Sequence, residues 1–84
     1  MSNPMHIAFH GRLADLFGRE IDLPVDGPCT VAELKHRLAA HRPDAGELVE
    51  NRRVRACVGD ALVPDSRIVA PGDAVEFLSP VSGG

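Results

Sequence analysis

A single well-marked helix, set among short segments of alternating polarity, is the feature that most constrains the fold of this chain. The helix is predicted within "CTVAELKHRLAAHRP", residues 29–43. Thr30 at the N-cap and Glu33 three residues later form a capping box. The apolar residues of the segment recur at helical spacing and define one face: Val31, Leu34 and Leu38. A helix with one apolar face must cover an apolar surface made by the rest of the chain.

The segments around this helix are predicted to supply that surface as strands. Each is short, and most alternate apolar and polar residues: 5–10, 19–24, 54–58, 61–63 and 74–78. Proline and glycine in "APGD", residues 70–73, stand in the order of a type II turn before the last strand. The element order predicts an α+β fold: a β-grasp, or ubiquitin-like, mixed sheet of four to five strands covered by one main helix.

Length, charge and composition limit the classes of protein to which the chain can belong. Eighty-four residues make one domain, predicted as a β-grasp body over 1–79 with a flexible tail over 80–84. The net charge is −3 with the signs mixed along the chain, which argues against a nucleic-acid surface. No apolar run is long enough to span a membrane, no secretory signal is visible, and two cysteines make no disulfide scaffold. We therefore expect a cytoplasmic protein.

The side chains offer no convincing active site. Cys57 in a predicted strand and Cys29 before the helix are interpreted as small hydrophobic residues rather than nucleophiles. The four histidines lack the spacing of a zinc site, so no metal is expected. No glycine-rich phosphate loop and no paired carboxylates are present. The chain itself is expected to bind no cofactor.

The last residues, "SPVSGG", offer a different reactive group, the α-carboxylate of Gly84. Pro80 lacks the N–H that would extend a strand ladder, and Gly83 and Gly84 have no side chains to block a narrow channel. Such a tail could deliver a carboxylate into the active site of another protein. A carboxylate reacts only after its oxygen becomes a leaving group, for example by adenylation. An idle tail with incidental glycines is the alternative.

Three stretches of the chain resemble the small, sulfur-carrying subunit of molybdopterin synthase, of the MoaD/ThiS family: "FHGRLADLFGRE", "TVAELKHRLA" and "APGDAVEFLSPVSGG". The resemblance covers nearly the whole chain. Two departures stand out. The family often has two prolines before the valine, where this chain has Ser79 and Pro80. It often has Val-Asn after the third strand, where this chain has Val58 and Gly59.

The resemblance implies a role for each tail residue. Gly84 would be adenylated by a MoeB-like enzyme that uses ATP, and then converted to a thiocarboxylate. The tail would insert into a large, MoaE-like subunit and donate sulfur to cyclic pyranopterin monophosphate, with Gly84 reached through Gly83, Ser82, Val81 and Pro80. The chain would thus be no enzyme by itself but the carrier subunit of a sulfurtransferase complex.

A partner-binding surface is predicted on the sheet face away from the helix. If Val75 and Phe77 face the helix, alternation places Leu78, Ala8 and His10 together on the other side. An apolar patch beside the tail suggests a protein partner. A single exposed leucine is the simpler alternative.

Three other functions remain open from the sequence. The chain could carry sulfur for another pathway, such as the synthesis of thiamine thiazole or cysteine. It could be a ubiquitin-like modifier that is joined to lysines of target proteins. It could also be an interaction module with an idle tail.

Overall fold

A computed structural model describes residues 4–79 of the chain. The helices, with a 3₁₀ turn at Pro43–Ala45, are α1 (Arg12–Phe17), α2 (Val31–His41) and α3 (Gly46–Val49). The strands are β1 (Pro4–His10), β2 (Glu20–Pro24), β3 (Cys29–Thr30), β4 (Arg55–Val58), β5 (Ala61–Val63), β6 (Ile68–Val69) and β7 (Ala74–Leu78). The longest helix has 11 residues, and none in this part of the chain is long and apolar enough to cross a membrane.

Five of the strands form one mixed sheet in the order β2-β1-β7-β4-β5. The first and last strands, β1 and β7, run parallel at its centre, and every other pair is antiparallel. Helix α2 covers one face, so the predicted β-grasp is confirmed. The division into a body over 1–79 and a flexible tail over 80–84 stays a prediction, because 80–84 lie outside the described residues.

The core lies between α2 and the inner face of the sheet. Alternate residues of β1 and β7 are buried there, as predicted: Met5, Ile7, Phe9, Val75 and Phe77. The predicted apolar face of α2 is buried against them. The ring of Phe9 stacks on Phe17 at a centroid distance of 4.7 Å and on Phe77 at 6.1 Å. These contacts fix α1 against the end of the sheet where β7 finishes.

The start of α2 is held by the predicted capping box and by a neighbouring loop. The Glu33 amide donates to Thr30 Oγ1 at 3.1 Å, and the Thr30 amide donates to Glu33 Oε1 at 3.1 Å. The amide of Thr30, and then its hydroxyl, which donates to Glu33 Oε1 at 3.0 Å, lower the pKa of the Glu33 carboxyl. The next amides, of Val31 and Ala32, donate to the carbonyls of Arg67 and Asp65 at 2.9 and 3.0 Å. Amides that a helix leaves unpaired at its start are thereby satisfied.

Two features of this region escaped the sequence analysis. Strands β3 and β6 form a separate two-stranded sheet, with Cys29 opposite Val69 and Thr30 opposite Ile68. Two-residue strands are too short to show a periodic pattern. The second feature is Lys35, which is buried beside the apolar face of α2 although lysine is rarely buried.

We expect Thr30→Ala to lower the free energy of unfolding by about 1 kcal/mol, because the Glu33 amide loses its acceptor. Urea unfolding followed by circular dichroism measures the change. Thr30→Ser keeps the hydroxyl and should restore most of the loss. Equal stability of the alanine and serine variants would contradict this account of the cap.

Candidate functional site

The chain leaves the sheet from its centre, at the end of β7. Leu78 pairs with His10 of β1 on one side and with Arg55 of β4 on the other. Ser79 is the last residue that the structure describes. The predicted tail residues lie outside the described part of the chain, and their roles stay predictions: Pro80, Val81, Ser82, Gly83 and Gly84.

The residue before the predicted tail is bound to the turn between β1 and α1. Ser79 Oγ accepts a hydrogen bond from the Arg12 amide at 3.1 Å and lies 3.2 Å from the His10 carbonyl oxygen, to which it donates. Gly11 between them has a φ of +66°, and a Cβ at this position would overlap Ser79 Oγ. Glycine is therefore required here both for its backbone conformation and for space. The contact fixes the position of the chain at the base of the tail.

The predicted partner-binding residues do share one face of the sheet. We call the side of the five-stranded sheet that faces away from α2 the outer face. The register places Ala8 opposite Glu76 and His10 opposite Leu78 across the β1–β7 pair, so Leu78, Ala8 and His10 lie together. Ala8 and Leu78 are half-buried and His10 is exposed.

The β1–β2 half of the outer face is polar, which corrects the expectation of an apolar patch. His6 Nδ1 lies 2.8 Å from Asp22 Oδ1, and His6 Nε2 lies 2.9 Å from Glu20 Oε1. These two carboxylates, first Asp22 and then Glu20, raise the pKa of His6 above its ordinary value of 6.5. His10 Nε2 lies 3.2 Å from Glu76 Oε1. These pairs depend on the register of β1 against β2, which no local pattern in the sequence specifies.

The other half of the outer face is more apolar. Cys57 of β4 is half-buried, with Glu76 opposite it on β7 and Leu62 opposite it on β5. Leu62 is 59% exposed. Arg55 adds a positive charge beside Leu78. The apolar surface thus runs from the base of the tail toward the β5 edge of the sheet.

A shallow groove of about 540 Å³ lies where the outer face meets the base of the tail. Its lining includes residues of β1, the following turn and β7: Ala8, His10, Gly11 and Glu76. The groove brings two of the predicted partner-binding residues to Gly11, the residue that contacts Ser79. An extended peptide or a partner side chain could contact the outer face and the base of the tail together.

Among residues 4–79 no cluster of three or more His, Cys, Asp or Glu side chains could hold a metal ion. Both cysteines are free thiols. Cys29 is buried, and burial raises the pKa of its thiol, so the nucleophilic thiolate is disfavoured.

Comparison with known proteins assigns the family. The model of the ThiS family matches residues 7–84, nearly the whole chain. This protein belongs to the ThiS family. The family comprises sulfur carriers of the ThiS and MoaD type and ubiquitin-like modifiers, and the resemblance found in the sequence is confirmed. ThiS proteins of this type generally partner with synthases and activating enzymes.

Three solved structures show how widely the same fold is used. SAMP1 from Haloferax volcanii has 26% identity and a TM-score of 0.74, covering 98% of this chain and 100% of its own. A Pyrococcus furiosus protein described as molybdopterin converting factor, subunit 1, has 20% identity and a TM-score of 0.78, covering 95% and 100%. Urm1 from Trypanosoma brucei has 22% identity and a TM-score of 0.68, covering 99% and 97%. The last two show the shared fold alone. A search of curated proteins finds none that matches this ThiS protein.

We expect Gly11→Ala to lower the free energy of unfolding by about 1–3 kcal/mol, since alanine is strained at this φ and its Cβ displaces Ser79. In a Ser79→Ala background the same change should cost about 1 kcal/mol less, because the overlapping oxygen is gone. Urea unfolding of the four proteins measures the coupling.

Gly18→Ala is the matched control for this cycle. Gly18 also has a positive φ, +93°, but apart from its chain neighbours no described residue lies within 4 Å of the place that a Cβ would take. Gly18→Ala should lower the free energy of unfolding by the same amount whether position 79 is serine or alanine. Equal costs of Gly11→Ala in both backgrounds would refute the contact between Gly11 and Ser79.

The two carboxylates beside His6 should make this part of the fold sensitive to pH. The pKa of His6 is raised in the folded protein, so its ion pairs stabilise the fold fully below pH 6.5 and are lost as the pH rises through the raised pKa. NMR titration should show Asp22→Asn lowering the pKa of His6 more than Glu20→Gln does. If the pKa of His6 is unchanged in both variants, the two carboxylates do not raise it.

Proposed function

We propose that this member of the ThiS family carries sulfur for molybdopterin synthesis as a thiocarboxylate on Gly84. The observation that carries the proposal is the family match, which runs through to residue 84 and so includes the terminal Gly-Gly. The ending "PVSGG" favours the molybdopterin subunit among the carriers that it resembles. The described body supports a carrier role because it ends beside a groove at the base of the tail, where a partner can contact it.

The proposed chemistry takes place at the carboxyl end and uses two partners. On a MoeB-like enzyme, the Gly84 carboxylate attacks the α-phosphorus of ATP and pyrophosphate leaves. A persulfide of the sulfur donor then attacks the acyl carbon, AMP leaves, and an acyl disulfide forms. A thiolate of the donor or activating protein attacks the donor's sulfur in that bond, which forms a protein disulfide and releases the thiocarboxylate. In a MoaE-like subunit this sulfur passes to cyclic pyranopterin monophosphate. The chain contributes the acyl group and binds no cofactor of its own.

The folded body contributes presentation and docking. Ser79 is tied to the β1–α1 turn, so the five following residues start from a fixed point. Fixing one end of a segment reduces the number of conformations that a partner must select. The outer face near that point carries Leu78, Ala8 and His10, the residues proposed to contact the partners. Two free thiols in one small chain are compatible with the reducing cytoplasm, where we place the protein.

A ubiquitin-like modifier is the second candidate function. SAMP1, at 26% identity, carries the name small archaeal modifier protein 1. A modifier uses the same activated acyl carbon but passes it to an amine of another protein. A carrier for a different sulfur pathway is the third candidate, since the matching family bears the name ThiS.

Intact-mass analysis after co-expression with an adenylating enzyme separates these functions. A sulfur carrier should gain the mass difference of one oxygen exchanged for one sulfur, and conversion of cyclic pyranopterin monophosphate by a MoaE-like subunit should follow. A covalent adduct with other proteins would instead indicate a modifier. An unchanged mass would contradict both.

Deletion of Gly84 provides the matched control. We expect the mass change to disappear while thermal unfolding stays the same, because residues 4–79 form the packed core. Sulfur loading that survives the deletion would refute Gly84 as the reactive residue.

A further inference from the structure

This chain has few side-chain amines. The 84-residue sequence has nine Lys and Arg residues together, of which Lys35 is the single lysine and the other eight are arginines. The distinction matters for acyl chemistry, because a lysine amine can lose its proton and attack an acyl carbon. An arginine guanidinium stays protonated in proteins and has no lone pair to offer.

The single lysine is enclosed by the fold. Lys35 is only 3% exposed, on the side of α2 that faces the core. Its Nζ donates to the Val54 carbonyl at 2.7 Å. It also lies 3.1 Å from Oδ1 and 3.2 Å from Oδ2 of Asp65. The Nζ of Lys35 is therefore already engaged by protein acceptors on two sides.

Release of this amine would disturb more than one contact. Asp65 belongs to the segment whose backbone holds the start of α2: the Ala32 amide donates to the Asp65 carbonyl, and the Val31 amide donates to that of Arg67. The Asp65 side chain is itself 49% exposed, whereas the Val54 carbonyl that binds Lys35 Nζ belongs to a buried residue. Attack on an acyl carbon needs the nitrogen at close range with a free lone pair. Lys35 must therefore leave its enclosed position and its bond to the Val54 carbonyl before it can react.

We propose that this ThiS protein is an acyl donor that cannot serve as an acceptor through lysine, so copies of it are never joined tail to lysine. The proposal rests on the proposed function in one respect, the activation of the carboxyl end. In the excluded step, the lysine nitrogen would attack the acyl carbon of a second copy's adenylate. A C–N bond would form, the bond from the acyl carbon to AMP would break, and one amine proton would pass to solvent.

The consequence differs between the two candidate functions. For a sulfur carrier, an activated copy can meet other copies without losing its acyl group to a surface lysine. For a modifier, each acceptor lysine on a target receives one copy, and that copy cannot be extended through its own lysine. Both cases follow from the same enclosed amine.

Chemical acylation tests the enclosure without any activating enzyme. The full chain is treated under native conditions with the N-hydroxysuccinimide ester of acetic acid, and acetylation of Lys35 is followed by peptide mass spectrometry. The matched variant is Arg37→Lys, which keeps the charge and adds an amine at an exposed position of the same helix. We expect Lys35 to react at least about tenfold more slowly than the introduced amine. In concentrated urea the two should react at similar rates.

Activation by the adenylating enzyme and ATP is the second arm of the experiment. The wild-type protein should show no peptide in which Lys35 is joined to Gly84, whereas Arg37→Lys should provide an acceptor for such a link. Native acetylation of Lys35 at the rate of the introduced amine, or a Gly84–Lys35 link in the wild-type protein, would overturn the proposal. If no activation occurs in either protein, the proposed function fails while the acetylation result still decides whether Lys35 is enclosed.

Discussion

The parallel pairing of β1 with β7 is the interaction on which the rest of the structure depends. It joins the two ends of the described chain at the centre of the sheet, with His10 beside Leu78. Strands so distant in sequence pair only after a large loss of chain entropy, which the core formed with α2 must offset. The same pairing sets Ser79 beside Gly11 at the β1–α1 turn. The base of the tail is thus fixed by the centre of the fold rather than by a surface loop.

The second organising region is the start of α2, where the backbone and one charged side chain depend on the same loop. The carbonyls of Asp65 and Arg67 accept the first helix amides, while the Asp65 carboxylate binds Lys35. Burial of an ammonium is costly unless it is paired and hydrogen-bonded, and both conditions are met here. The short loop between β5 and β6 therefore stabilises both the start of α2 and the buried side chain of Lys35.

Features of the fold that have a local sequence pattern could be predicted from the sequence, whereas contacts between distant residues could not. The box at Thr30 and Glu33 and the alternation of β1 are local patterns, and the structure confirms them. The turn at 70–73 is equally local: Gly72 has a φ of +98° and the Asp73 amide donates to the Ala70 carbonyl at 2.9 Å. The contacts of Ser79 and His6 join residues far apart in sequence and left no local sign. The burial of Lys35 does have a local sign, because Lys35 follows Leu34 and lies one helical turn after Val31. Lysine is so rarely buried, however, that this position alone does not predict its burial.

The distribution of reactive groups in the body bears directly on what the carboxyl end can do. An activated acyl group is at risk from any accessible amine or thiolate on its own carrier. In this member of the ThiS family the single lysine is enclosed, and burial raises the pKa of the Cys29 thiol. The eight arginines carry guanidinium groups, which offer no free lone pair. Cys57, half-buried on the outer face, is the more accessible of the two thiols. If the carboxyl end is activated as proposed, enclosure of the single lysine removes one competing nucleophile from the described body, and Cys57 is the thiol that a partner would have to cover.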